Sequence, residues 1–341
     1  MSKNTCALCK ENPADKANTH YLTDGIIRSC LNQDGSGERE KGFYFDVSNN
    51  SAFVEFNFQR GTSIDKLEES LGRQASEEEI DKAKQIPFSV DHVFCTQCEA
   101  KFTEIETAFI DNLLPQFRNE NLNERATIEI DDNKLFRLFF YLQIWRTHIC
   151  EESIDLPQEV AENLRLFILN SDNYDVQDIS IYPLSVTYLE TTGGQAEYTS
   201  NFVGFTNDKN PFLIFFNDFI IQFYESQESV QFIAIHGLNS EEAYQDSINC
   251  NEQSFVVPIR HNAARKELLN AFITAEKVKQ TVDFYANGFR RLWFSLFGLF
   301  PPNMIVQEYI NTLTNGDFDI LKYSKENIVE LTTRFIERKL K

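Results

Sequence analysis

Positive charge is scarce in this sequence relative to its opposite. Lys and Arg number 32 against 52 Asp and Glu, for a formal charge of −20. So acidic a chain is repelled from nucleic acid at long range, because binding there rests on neutralising phosphates with Lys and Arg. Tight unaided nucleic-acid binding is therefore not expected unless a metal or a partner supplies positive charge. Long apolar runs are also missing. The nearest approach, "LWFSLFGLFPPNMIV", is broken by Pro301 and Pro302 and is too short to span a bilayer. The opening "MSKNTCALCKEN" has no apolar signal core, so a cytoplasmic chain with no membrane partner is expected. No phosphate loop, H-E-x-x-H or G-x-S-x-G occurs, and "TTGGQ" lacks the Lys-Ser/Thr that a phosphate loop needs. Met and Trp number only 2 each, which leaves 31 Phe to supply most of the large apolar side chains. The dense runs "KLFRLFFYL", "NPFLIFFNDFIIQFY" and "LWFSLFGLF" should be core elements or a partner surface.

The chain is long enough for two domains. Residues 1–42 are polar and turn-rich, with "NQDGSGEREKG" as a loop. "FYFDVSNNSAFVEFNF" alternates about Asn49-Asn50, which predicts a hairpin. A charged helical insertion comes next and is broken at Gly72, with "SEEEI" opening its second part. "FSVDHVFCTQCEAKFTEIETAFIDNLL" reads as a short strand and then an amphipathic helix ended by Pro115. Leu135, Leu138, Phe139, Leu142 and Trp145 recur at helical spacing, and "LPQEVAENLRLFIL" is a third helix with Pro157 near its start. Strand patterns fill 178–260, including "ISIYPLSVTYLE", "YTSNFVGFT" and "VQFIAIHGL", and helix returns from 263. The expectation is an α+β fold: a small N-terminal zinc treble-clef module over 1–118, then a helical segment and a mixed β-rich and helical body over 119–341.

Cys6-x-x-Cys9 and Cys95-x-x-Cys98 carry the sharpest chemistry. A C-x-x-C turn points two thiolates at one ion, and two such knuckles complete a tetrahedral site for Zn²⁺. Cys30, Cys150 and Cys250 have no such partner and read as inert thiols.

With those knuckles in place, the histidine of "CALCKENPADKANTHYL" and the closing "FCTQCEAKFTEIE" resemble HNH-like bacterial proteins. The likeness covers about 5–35 and 90–170, where "LFRLFFYLQIWRTHI" and "LPQEVAENLRLFIL" also fit. It implies metal-dependent cleavage of a phosphodiester in a bacterial defence setting. His20 would be the general base, and Glu99 would stand in for the family's final histidine as an oxygen ligand for Mg²⁺ or another divalent ion. Thr19 stands where that family commonly carries an acidic metal ligand, and no asparagine takes the middle position. This departure, with the acidity, keeps open a catalytically degenerate relative that serves as a binding or assembly subunit. An acidic mimic of nucleic-acid charge is a third reading. His20 could also be a partner that orients a zinc thiolate. Asp91-His92 is a competing pair that more simply closes a strand or replaces a zinc ligand. Glu104 and Glu106 read as exposed helix charges, and His148 reads as a satisfied core histidine. A protein partner or a homo-oligomer is expected, with 211–224 and 289–300 supplying contact surface wherever they are exposed.

Overall fold

The structure is a computed structural model. It describes residues 5–28, 43–48, 51–58, 62–85, 88–118, 122, 125–151, 154–190, 202–206, 210–230, 247–314 and 325–340. The chain divides into two compact units, Met1–Phe272 and Ile273–Lys341. Cys30, the 32–42 loop, Asn49-Asn50, "TTGGQ" and nearly all of "VQFIAIHGL" lie outside the described residues.

In the first unit, β1 (Thr19–His20) leads into α1 (Asp24–Arg28). β2 (Phe43–Asp46) and β3 (Glu55–Phe58) form the expected hairpin, with Phe43 opposite Phe58 and Asp46 opposite Glu55. Pairing stops at Asp46 and Glu55, so the connection is longer than a two-residue turn at Asn49-Asn50. The charged insertion is α2 (Ile64–Leu71) and α3 (Glu77–Lys84). Gly72 stops α2 at φ 66°, a left-handed conformation that costs glycine little. Ser76 and Glu79 start α3 with a reciprocal capping box.

β4 (Ser89–Val90) returns to pair antiparallel with β1, Thr19 opposite Val90 and His20 opposite Ser89. Cys95 then caps α4 (Thr96–Asn112). Pro115 does not itself end this helix. It lies in the first turn of α5 (Leu114–Arg118), where its missing N–H is tolerated. β5 (Thr127–Ile130) and α6 (Asn133–Cys150) come after it. The apolar spacing located α6, but the helix is buried on every side from Phe136 to Thr147, including Arg137, Gln143 and Arg146. α7 (Gln158–Leu169) and α8 (Val176–Ile179) complete the helical layer.

β6 (Leu184–Leu189), β7 (Phe202–Phe205), β8 (Phe212–Phe216), β9 (Phe219–Phe223) and β10 (Phe255–Arg260) build the body, and α9 (Asn262–Phe272) closes the unit. Among the described residues eight strands make one mixed sheet in the order β3-β2-β7-β8-β9-β6-β10-β5. Its β2–β7 and β6–β10 pairs are parallel. The fold is α+β, as expected. One hydrophobic cluster runs from Cys6 through α4, α6 and α7 to Ile259 on β10, across the 118/119 position. Phe109 on α4 stacks on Phe139 of α6, with ring centroids 3.7 Å apart. The Phe-rich run at 211–224 is buried in the sheet, so of its two expected roles, core element or partner surface, it takes the first.

The second unit opens with a π-helical turn at Ile273–Val278 and continues as α10 (Lys279–Phe297), α11 (Asn303–Thr314) and α12 (Lys325–Leu340). Its own small core centres on Phe289, Tyr309 and Phe335. Among the described residues no helix is long and apolar enough to cross a membrane.

Candidate metal centre and the His20 turn

The two C-x-x-C turns meet. The sulfurs of Cys6, Cys9, Cys95 and Cys98 all lie within 4.8 Å of one another, and those of Cys9 and Cys95 are 4.0 Å apart. A tetrahedral ion with metal–sulfur bonds of about 2.3 Å needs sulfurs about 3.8 Å apart, so the four ligand atoms stand close to that geometry. Local hydrogen bonds shape the first knuckle: Lys10 N–H donates to the Cys6 carbonyl at 2.9 Å, and Ala7 N–H donates to the Val93 carbonyl at 3.0 Å. Donors also point at the sulfurs themselves. Cys95 N–H reaches Cys6 Sγ at 3.2 Å, Asn12 N–H reaches Cys9 Sγ at 3.4 Å, and Asn12 Nδ2 reaches Cys95 Sγ at 3.8 Å. Such donors favour the thiolate form that metals bind.

Burial raises the Cys6 and Cys98 thiols. At Cys9 burial also works upward, but the Asn12 and Glu11 amides and the neighbouring sulfurs outweigh it and hold the thiol down to about 7. Among the described residues these four cysteines form a group that can hold a metal ion such as zinc. Cys150 and Cys250 stand apart from it. Burial pushes the Cys150 thiol up to about 12 and raises Cys250 as well, so neither is a reactive thiolate at neutral pH.

The first knuckle is tied to α7. Arg165 donates through Nη1 to the Leu8 carbonyl and grips Glu162 with Nε and Nη2 at 2.9 and 2.7 Å. Lys10 Nζ reaches the same carboxylate at 2.6 Å. These two cations hold Glu162 down to about 2, Arg165 first and Lys10 second.

Strand geometry sorts the two residues expected to share a catalytic pocket. Thr19 is buried, and its hydroxyl lies beside Glu99. His20 is the next residue of β1, and consecutive strand residues point to opposite faces. His20 is thus the half-exposed member of the pair and Thr19 the buried one. Its Nε2 lies 3.6 Å from Asp24 Oδ1, one turn on in α1, and its side chain is 27 % exposed. Burial raises the Glu99 carboxyl, against the pull of the Arg146 guanidinium and with a smaller upward push from Glu106. Glu99 Oε2 is buried with no hydrogen-bond partner among the described residues.

Arg146 organises this region, and nothing in the sequence pattern had singled it out. From inside α6 its Nη1 donates to the His20 carbonyl at 2.9 Å. Its Nη2 meets Glu106, and lies 3.3 Å from both Thr23 Oγ1 and Gln143 Oε1. Thr23 completes the ring, donating its hydroxyl to Glu106 at 2.7 Å and its N–H to Gln143 at 3.0 Å. Glu106 is thus the half-buried partner of a buried arginine, not the exposed helix charge expected, whereas Glu104 is exposed. The available signal was two polar residues, Gln143 and Arg146, one turn apart just after the apolar run Leu138–Leu142.

Next to this ring, the Tyr21 hydroxyl donates to Glu151, and burial raises the pKa of both groups. Asp91 closes the β1–β4 end by accepting from Asn18 N–H at 2.7 Å. His92 N–H donates to the Lys16 carbonyl at 2.8 Å, and neither Asp91 nor His92 belongs to the four-cysteine group. His148 Nδ1 accepts from Leu156 N–H at 3.2 Å, the satisfied histidine expected. No family model, no curated protein and no solved structure matches this chain.

Proposed function

We propose that the chain is an HNH-like, zinc-stabilised nuclease that cleaves a phosphodiester with His20 as general base. One observation carries the reading. His20 ends the first strand of an antiparallel pair, and the second strand runs through Cys95-x-x-Cys98 into α4. Its imidazole is accessible and has the Asp24 carboxylate within reach. The ion at the four cysteines is Zn²⁺ in this reading, since an all-thiolate, four-coordinate set suits it and leaves no open position for substrate. That ion is structural.

In the reaction, His20 takes a proton from water through Nδ1, with Nε2 turned to Asp24, as the water oxygen bonds to phosphorus. The bond from phosphorus to the leaving sugar oxygen breaks in the same displacement. Asp24 lies where it can hold the imidazole in place and supply an oxygen ligand to a second, divalent ion. Such an ion would stabilise the charge developing on the phosphate and the leaving oxygen. On the resemblance, such an enzyme would serve bacterial defence.

Incubating the purified chain with single- and double-stranded DNA and with RNA, in Mg²⁺ and in Mn²⁺, tests this. Cleavage that needs the divalent ion and disappears in His20→Ala is expected. Cleavage that survives that substitution would remove His20 from the reaction.

A second reading, a degenerate HNH-like subunit used for binding and assembly, is favoured by Glu99. Its carboxyl sits on the buried side of β1, in a setting that opposes its charge. A chain with intact metal content and no cleavage on any of those substrates would favour this reading.

A further inference from the structure

We propose that the helical unit Ile273–Lys341 is the face through which two copies of this chain associate. Of the twelve exposed large hydrophobic side chains among the described residues, ten belong to this unit. Eight of the ten fall into two features. The first is an apolar groove of about 490 Å³ between α10 and α12, floored by Tyr309 of α11. Phe284, Leu292 and Leu296 line one wall, and Val329 and Ile336 line the other. The second is a protruding corner between α10 and α11, where Leu299, Phe300 and Met304 are 73, 66 and 79 % exposed. The Phe300 ring stacks on Phe294 at 4.8 Å. Gly298 turns the chain out of α10 at φ 70°, and Pro301 and Pro302 stiffen the entry to α11. The corner is thus pre-shaped before it meets anything, which lowers the entropy cost of docking.

Charge points to the occupant. Residues 273–341 hold ten Lys and Arg against eight Asp and Glu, although the whole chain stands at −20. The entire negative excess therefore lies in Met1–Phe272, and copies meeting through that unit would repel each other strongly. Copies meeting through the helical unit would not. Groove and corner are both apolar, with Glu337 the one charged residue lining the groove, so neither selects a strongly charged partner. A surface that carries both an apolar projection and an apolar hollow offers a second copy a two-fold arrangement, with each corner seated in the other copy's groove. Association through this unit is independent of whether the chain is a nuclease.

Sedimentation equilibrium on the full chain at tens of micromolar tests it, at low and at raised salt. The expected mass is twice the 39.6 kDa of one chain. The double substitution Leu299→Asp with Met304→Asp, and separately Val329→Asp, should each weaken association by at least roughly tenfold, since desolvated apolar anchors carry most of such an interface. All three positions are well exposed, so the far-ultraviolet dichroism should not change. Mixing the corner variant with the groove variant should restore part of the association, because one intact corner–groove contact remains in the mixed pair. A monomer at these concentrations would overturn the proposal. So would a dimer indifferent to the substitutions, or variants that show no recovery on mixing.

Discussion

Replacing Arg146 with alanine should destabilise the first unit by about 3–5 kcal/mol, the range for breaking a buried ion pair from one side. The guanidinium is 1 % exposed, and the Glu106 side chain it meets is 19 % exposed. Losing that charge-assisted bond costs about 1.5–3 kcal/mol, and taking the donor from the His20 carbonyl adds about 1–3. The guanidinium also lies over the Phe102 ring, 5.3 Å from its centroid, a contact worth roughly 0.5–1 kcal/mol. These terms together span about 3–7 kcal/mol, and because the Thr23 hydroxyl still reaches Glu106 at 2.7 Å and leaves the carboxylate partly paired, the lower part of that span applies.

Trp145 adjoins Arg146 and belongs to the first unit, whereas Trp293 belongs to the second, so urea unfolding monitored by fluorescence in a Trp293→Phe background isolates the transition. With a denaturant slope of about 3 kcal/mol/M, the midpoint should fall by about 1 M or more. Arg146→Lys keeps the charge but loses the planar fork, and should recover roughly half of the loss. A midpoint shift under about 0.3 M for the alanine variant would mean that this guanidinium does not hold the His20 turn in place. Complete rescue by lysine would mean that charge alone suffices, without the fork.

Other parts of the fold give three further expected outcomes. A Cβ on Gly204 would sit 2.5 Å from the Ser48 nitrogen, so Gly204→Ala should separate β7 from β2 and cost about 2 kcal/mol or more, read as a fall in the first-unit urea midpoint. Glu162 has a folded pKa below its unfolded value, so its contribution is present above about pH 4.5 and is lost as pH falls toward 2. Glu162→Gln should therefore lower stability at pH 7, by under about 1 kcal/mol for so solvent-screened a pair, with the gap to wild type closing through that acid window. Elemental analysis should find one zinc per chain. Chelation should lower the melting temperature of the first unit and leave the helical unit's unchanged, because the cysteines join the core that reaches Ile259; a metal-free chain melting at the same temperature would refute this.

Features of the fold were legible in the sequence according to the range of the interactions behind them. The cysteine pairs were legible because the turn that aims two sulfurs at one ion is local, and only the meeting of two such turns is not. Gly72 and the Ser76–Glu79 box were legible for the same reason. The parallel joining of β2 to β7 was not, since it links residues more than 150 positions apart and leaves no periodic trace. The all-round burial of α6 was hidden by its own arginines, which read as solvent-facing until partners from distant segments are counted. Arg137 illustrates this: it donates to Asn133 and Tyr141 within the helix and to the Tyr182 carbonyl outside it.

The setting of His20 is fixed by one of the shortest elements in the fold, β1. In a loop, neighbouring residues can turn their side chains to the same side, and a histidine at 20 and a carboxylate at 99 could converge on one ion. Pairing Thr19 and His20 with Val90 and Ser89 fixes which of the two faces the core: Thr19 is buried and the His20 side chain is 27 % exposed. Thr19 then lies against Glu99 while Arg146 holds the His20 carbonyl from α6. The backbone of His20 is anchored on the core side and its imidazole is delivered to the other. There the carboxylate within reach is Asp24, placed by the first turn of α1, where an acidic residue also complements the helix N-terminus. The acidic group that the strand pair leaves beside the His20 imidazole is Asp24, while Glu99 lies with Thr19 on the buried side of β1.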